Sequence, residues 1–172
     1  YCIKRLNTNA SEYTPRALKW YRWGVETKVL LLDEELSPFA FTNIIALALK
    51  QREFTFVASF IEDYSVYLNA TIRENYRHYT TAKLYFNQKK YDKAQKLLQQ
   101  VEYDDIFLNL DAKTMLVEMY YEEESWNALD ALLASFTRYL QRKSVIAYHR
   151  QVYQNFINIV RKLLKVIPND KV

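Results

Sequence analysis

Apolar residues recur at spacings of three and four along nearly the whole chain, the period of helices with one buried face. The pattern predicts helices near 14–26, 38–50, 54–68, 71–88, 91–101, 111–123, 126–142 and 145–166. Thr14-Pro15 and Ser37-Pro38 each set a capping hydroxyl before a proline suited to a first helical turn. Thr71 and Glu74 have capping-box spacing, Asp111, Ser125 and Ser144 each precede a new periodic stretch, and Pro168 closes the last one. No segment alternates with period two, so no strand is expected. The longest apolar runs, Val29–Leu32 and Ile44–Leu49, fall far short of the roughly 18–20 residues of a membrane span.

Short polar turns separate paired helices, and each second helix opens on an aromatic. Lys50-Gln51-Arg52-Glu53 leads to Phe54, Asn87-Gln88-Lys89-Lys90 to Tyr91, and Glu122-Glu123-Glu124-Ser125 to Trp126. The aromatics are 37 and then 35 residues apart. Six residues before them stand Ala48, Tyr85 and Tyr120; three after come Val57, Ala94 and Leu129; seven after come Ile61, Leu98 and Leu133. That is one helix-turn-helix unit repeated, each burying its apolar face against its neighbours.

The middle unit, with Ala82-Lys83-Leu84-Tyr85, Tyr91-Asp92-Lys93-Ala94 and Leu98, resembles a tetratricopeptide repeat. The resemblance covers residues 38–140 in three units and implies an all-α solenoid of antiparallel helix hairpins. The outer units depart from it. Ile45 and Val117 stand where the middle unit has Ala82, Val57 and Leu129 where it has Ala94, and Asn69 and Ile106 lie near the place of the usual closing proline. Bulkier residues at these contacts are expected to push helices apart. The implied organisation is a single helical-repeat domain over 1–172. It divides into a partial N-terminal unit with a connector (1–36), repeats at 37–70, 71–108 and 109–143, and a C-terminal capping helix (144–168). In that last helix Val152, Phe156, Ile159, Val160, Leu163 and Leu164 are expected on the packed side, opposite Arg150, Asn158, Arg161, Lys162 and Lys165.

Composition sharpens the exclusions. Gly24 is the one glycine, beside three prolines, so few residues are expected to take φ > 0. Tight hairpins, phosphate loops and sheet-based nucleotide folds are therefore not expected. Cys2 is the lone cysteine, which excludes an internal disulfide. The chain opens at Tyr1 with no Met and no apolar leader, and reads as a fragment or processed product. A soluble protein is expected, with the cytoplasm ahead of other compartments.

Catalytic chemistry finds little support. His78 and His149 are far apart, no zinc or serine-hydrolase motif is present, and Glu122-Glu123-Glu124 reads as a solvated turn. The expectation is no enzyme, no metal and no cofactor. Most of the 15 Tyr, 9 Phe and 3 Trp are expected to fill inter-helix seams. The resemblance implies a partner groove lined by each first helix: Phe39, Thr42, Ala46, Leu49 and Lys50; Tyr76, Tyr79, Lys83, Phe86 and Asn87; Asp111, Thr114, Glu118, Tyr121 and Glu122. The Lys/Asn set with which some such domains hold a C-terminal carboxylate is absent, so that activity is not expected.

Charge falls in blocks despite a net charge of only +4. Seven Lys/Arg against two acids span Arg73–Lys96, nine acids against Lys113 span Glu102–Asp130, and seven Lys/Arg with no acid span Arg138–Lys165. The expected function is a non-catalytic scaffold that docks a protein, peptide or helix in the groove. The alternatives are RNA or single-stranded nucleic acid on the basic helices 73–96 and 138–165, and a structural segment that stacks on further repeats in the same chain.

Overall fold

A computed structural model describes residues 12–101, 105–142 and 147–166, with the backbone alone at 147–148. Among them the protein is all-α apart from one two-stranded hairpin, and it forms two compact units, Tyr1–Glu102 and Tyr103–Val172. The first unit runs α1 (Tyr13–Glu26), β1 (Leu31–Leu32), β2 (Glu35–Leu36), α2 (Pro38–Lys50) and α3 (Phe54–Tyr64). A 3-10 turn (Ser65–Tyr67), α4 (Ala70–Asn87) and α5 (Tyr91–Leu98) complete it. The second unit holds α6 (Ile106–Glu122), α7 (Trp126–Arg142) and α8 (Ala147–Leu164). Ser144 and Pro168 lie outside the described residues.

Three corners share one backbone solution. Arg52, Lys89 and Glu124 adopt φ of 58°, 57° and 54°, each two residues before the aromatic that opens the next helix. At each corner the following amide reaches back across a full turn. Glu53 N–H donates to the Ala48 carbonyl at 3.0 Å, Lys90 to Tyr85 at 2.9 Å and Ser125 to Tyr120 at 2.9 Å. The left-handed residue itself donates to Leu49, Phe86 or Tyr121, at 2.9, 2.9 and 3.3 Å. This Schellman closure satisfies the last carbonyls of one helix and turns the chain into the next. Accordingly α2 packs on α3, α4 on α5 and α6 on α7.

A glycine count is a poor guide to positive φ in this chain. Among the described residues six other than glycine adopt it, whereas Gly24 is helical and does not. Two of the six, Asp33 (49°) and Glu34 (63°), form the turn of an antiparallel hairpin pairing Leu31 with Leu36 and Leu32 with Glu35. The expectation of no strand is therefore overturned. Positive φ at both central residues is the type I′ geometry that suits strand twist, and an Asp tolerates it. Leu36 pins the hairpin by burial, and Glu35 accepts a 3.1 Å hydrogen bond from the Asn69 side chain. Gly24 serves close approach instead: a Cβ there would lie 2.8 Å from Leu30 Cγ.

Helix starts follow hydrogen bonding, and three differ from expectation. Ser37 caps α2 as anticipated, accepting from Ala40 N–H at 3.1 Å with Pro38 at the first helical position. The α4 cap is Asn69, whose side chain accepts from Thr71 N–H at 3.1 Å, while Glu74 pairs with His78 at 3.4 Å. The α6 cap is Asp105, accepting from Phe107 and Leu108 N–H at 2.7 and 3.1 Å; Asp111 sits inside the helix. Thr14 is buried within α1, which starts at Tyr13 with no side-chain cap bond. Arg73 secures the 3-10 turn that follows α3 by donating to the Val66 and Leu68 carbonyls at 2.9 and 3.0 Å.

In the first unit the core centres on α2, where Phe41, Ile44, Ile45 and Ala48 meet Leu18, Val57, Phe60 and Leu68. A run of aromatic rings crosses α3. Phe56 lies 5.6 Å from Phe60, Phe60 stacks on Tyr64 at 4.7 Å, and Tyr64 lies 6.0 Å from Tyr67. In the second unit Leu110, Val117, Leu129, Leu133 and Phe136 meet Ile157 and Val160 of α8. The apolar side expected on this helix divides. Phe156, Val160 and Leu164 face the core, whereas Val152, Ile159 and Leu163 are exposed. Arg161, expected outside, is half-buried and lies 3.3 Å from the Thr137 hydroxyl.

The corner geometry has a thermodynamic consequence. A side chain in the left-handed region carries a steric cost of roughly 1 kcal/mol that glycine avoids. Arg52→Gly, Lys89→Gly and Glu124→Gly should each stabilise the fold by up to about 1 kcal/mol, read as a higher midpoint of thermal unfolding. Lys89→Val should lower it. Glycine variants that all melt below the parent would contradict the assigned geometry.

Candidate functional site

Helices α2 and α4 pack on one another, which brings two of the three predicted groove stretches into one unit. On α2, Phe39 is 71% exposed and Lys50 is exposed, while Leu49 at 5% belongs to the core. Thr42 and Ala46 are half-buried, and the Thr42 hydroxyl donates to its own helix at Pro38, 2.9 Å away. On α4, Tyr79 is 4% exposed and joins Leu49 among residues that present almost no surface to a partner. Tyr76, Lys83, Phe86 and Asn87 are half-buried. Lys83 Nζ sits 3.4 Å from the Tyr79 hydroxyl, Phe86 stacks on Tyr91 at 6.0 Å, and the Asn87 amide donates to the Lys83 carbonyl at 2.8 Å. The accessible set is thus Phe39 and Lys50, flanked by partly covered aromatic and amide groups.

The third stretch lies on α6 in the second unit. Glu118, Tyr121 and Glu122 are exposed, Asp111 and Thr114 are half-buried, and Tyr121 meets Trp126 edge-on at 5.7 Å. Partial desolvation raises the Glu118 pKa, and the carboxylates of Glu122 and Asp111, four and seven residues away along the helix, push it further up. Burial alone lowers the pKa of Lys113, whose ammonium lies 5.5 Å from the Tyr139 ring centre. Burial also raises the phenols of Tyr139 and Tyr153, with Asp105 adding to the first and Asp111 to the second. The Tyr139 hydroxyl is buried with no hydrogen-bond partner among the described residues. Periodicity placed Glu118 on this face; it carried no sign of the Lys113–Tyr139 contact, which depends on how α7 seats.

Several basic side chains are committed internally. Arg73 binds two backbone carbonyls, Arg77 pairs with Glu62 at 3.1 Å, and Arg161 contacts α7. Lys90 and Lys93 both lie within 6 Å of the Tyr85 ring centre, at 5.9 and 5.6 Å. His149 meets Phe107 edge-on at 5.7 Å. Among the described residues no group of three His, Cys, Asp or Glu is placed to hold a metal ion, and no helix is long and apolar enough to cross a membrane.

No family model, no curated protein and no solved structure matches this chain.

The raised Glu118 pKa fixes the sign of a pH effect. A carboxyl whose folded pKa lies above its unfolded value contributes stability below the unfolded pKa, and that contribution is lost as pH rises through the folded one. At neutral pH ionised Glu118 therefore costs stability. Glu118→Gln should stabilise the fold at pH 7 by a few tenths of a kcal/mol, allowing for solvent screening. The gain should vanish below about pH 4, where both states bind the proton. Denaturant midpoints at the two pH values test this; an equal gain at both would contradict it.

Proposed function

We propose that the protein is a non-catalytic interaction module, and that its helix pairs are units of a tetratricopeptide-like α-solenoid closed by a C-terminal capping helix. The observation that carries this reading is the equivalence of the three corners at Arg52, Lys89 and Glu124, with the same left-handed residue and the same closing hydrogen bonds. Equivalent corners at near-regular spacing are what a repeated helix-turn-helix unit requires. The surface offered to a partner combines exposed Phe39 and Lys50 on α2 with half-buried Tyr76, Lys83, Phe86 and Asn87 on α4. An exposed aromatic beside partly covered ones suits an anchor-and-rim interface, in which apolar groups supply affinity and charges set orientation. Nucleic-acid binding has less behind it, because Arg73, Arg77 and Arg161 are engaged within the fold.

The test is capture by the full chain, compared quantitatively between variants. Phe39→Ala with Lys50→Glu should lose a defined set of proteins and leave the thermal midpoint unchanged, since both side chains are exposed. Val152→Ala, which alters an exposed residue of α8, should retain that set. Identical capture by the parent and both variants would overturn the reading. Capture of RNA that fades steeply with salt would favour the basic helices instead.

A further inference from the structure

The run of aromatic rings across α3 ends differently on its two sides. At one end the Arg22 guanidinium lies 3.8 Å from the centre of the Phe56 ring and forms an ion pair with Glu53. There the chain's own arginine is held between an aromatic face and a carboxylate. The other end, at Tyr64 and Tyr67, opens on a cavity of about 260 Å3 beside the last turn of α1 and the hairpin. Buried Val25 and half-buried Leu31 supply its apolar lining; Glu26, Asp63 and Lys28 supply exposed charge. No hydrogen bond or ion pair engages the side-chain carboxylates of Glu26 and Asp63 among the described residues.

We infer that this cavity receives an arginine side chain from a peptide or protein partner. Three observations converge. The lining repeats the pairing of aromatic and carboxylate that holds Arg22, now with two rings and two carboxylates. Its charge is negative by one, with Glu26 and Asp63 outweighing Lys28. Its volume lies below the roughly 300–1,000 Å3 of a small-molecule site, the scale of one side chain. A guanidinium fits better than an ammonium, because it is planar enough to stack on tyrosine and presents a fork of donors to carboxylates. Burial and the nearby Glu26, Tyr67 and Asp63 raise the Tyr64 pKa, so the phenol stays neutral and the ring remains a π face at physiological pH. Gly24 helps form the site: the hairpin connector approaches α1 there as no residue with a Cβ would allow without displacing Leu30. This inference does not rest on the interaction surface of α2 and α4.

The probe is N-acetyl-arginine amide, set against the neutral isostere N-acetyl-citrulline amide, followed by NMR of the tyrosine ring signals in the whole chain. Arginine should shift the Tyr64 and Tyr67 signals saturably, with citrulline about tenfold weaker or more. Glu26→Gln with Asp63→Asn should weaken arginine binding about tenfold, whereas Lys28→Gln should strengthen it by removing a like charge. Phe39→Ala with Lys50→Glu should leave it unchanged, which separates this site from the docking surface. The citrulline comparison uses the unaltered chain and does not depend on any variant folding. Equal binding of citrulline, or shifts spread away from these tyrosines, would overturn the proposal. Loss of binding in Lys28→Gln would also do so, by marking an anion site.

Discussion

Closure of each helix pair by one left-handed residue is the constraint on which the rest of the structure depends. A helix ends with four carbonyls lacking intrahelical partners, which other backbone donors, side chains or water must satisfy. Arg52, Lys89 and Glu124 solve this in the same way. The solution fixes where the next helix starts, hence which face of α3, α5 and α7 meets α2, α4 and α6. The aromatic two residues on then falls at the base of each pair: Tyr91 under Phe86 and Trp126 against Tyr121. Burial supplies most of the stabilisation, but the corners decide which side chains are buried.

Long elements were legible from periodicity because tertiary packing agrees with the local pattern. The bounds of α2 and α7 are those read from the sequence, and α4 is displaced by a single residue. What failed failed for physical reasons. Glycine scarcity does not bar positive φ, because a local steric cost of order 1 kcal/mol is small beside the hydrogen bonds and packing a corner secures. The hairpin left no signal, since its four strand residues are too short a run to show alternation. Asp105 was missed as a cap because Asp111 precedes the cleaner periodic stretch, although the apolar Ile106-Phe107-Leu108 run already belongs to the helix.

The candidate surface was legible in register and not in exposure. Phe39 and Leu49 were assigned to one groove, yet one is 71% exposed and the other 5%. Helical phase gives direction; only packing gives cover. The cavity at Tyr64 and Tyr67 lay outside sequence reasoning, since its residues come from α1, the hairpin connector, the end of α3 and the 3-10 turn. What places them together is the approach at Gly24 and the stacking of Phe60 on Tyr64. Local rules are set aside at three kinds of place in this fold: side chains in left-handed backbone, a partly desolvated Glu118, and carboxylates beside tyrosine rings.

Backbone NMR at residues 52, 89 and 124 is the most direct test that three corners share one geometry. Strong intraresidue amide-to-Hα contacts at all three, together with slow exchange of the Glu53, Lys90 and Ser125 amides, are the expected result. Weak contacts or rapid exchange at any one corner would contradict their equivalence and remove the ground for a repeated helix pair.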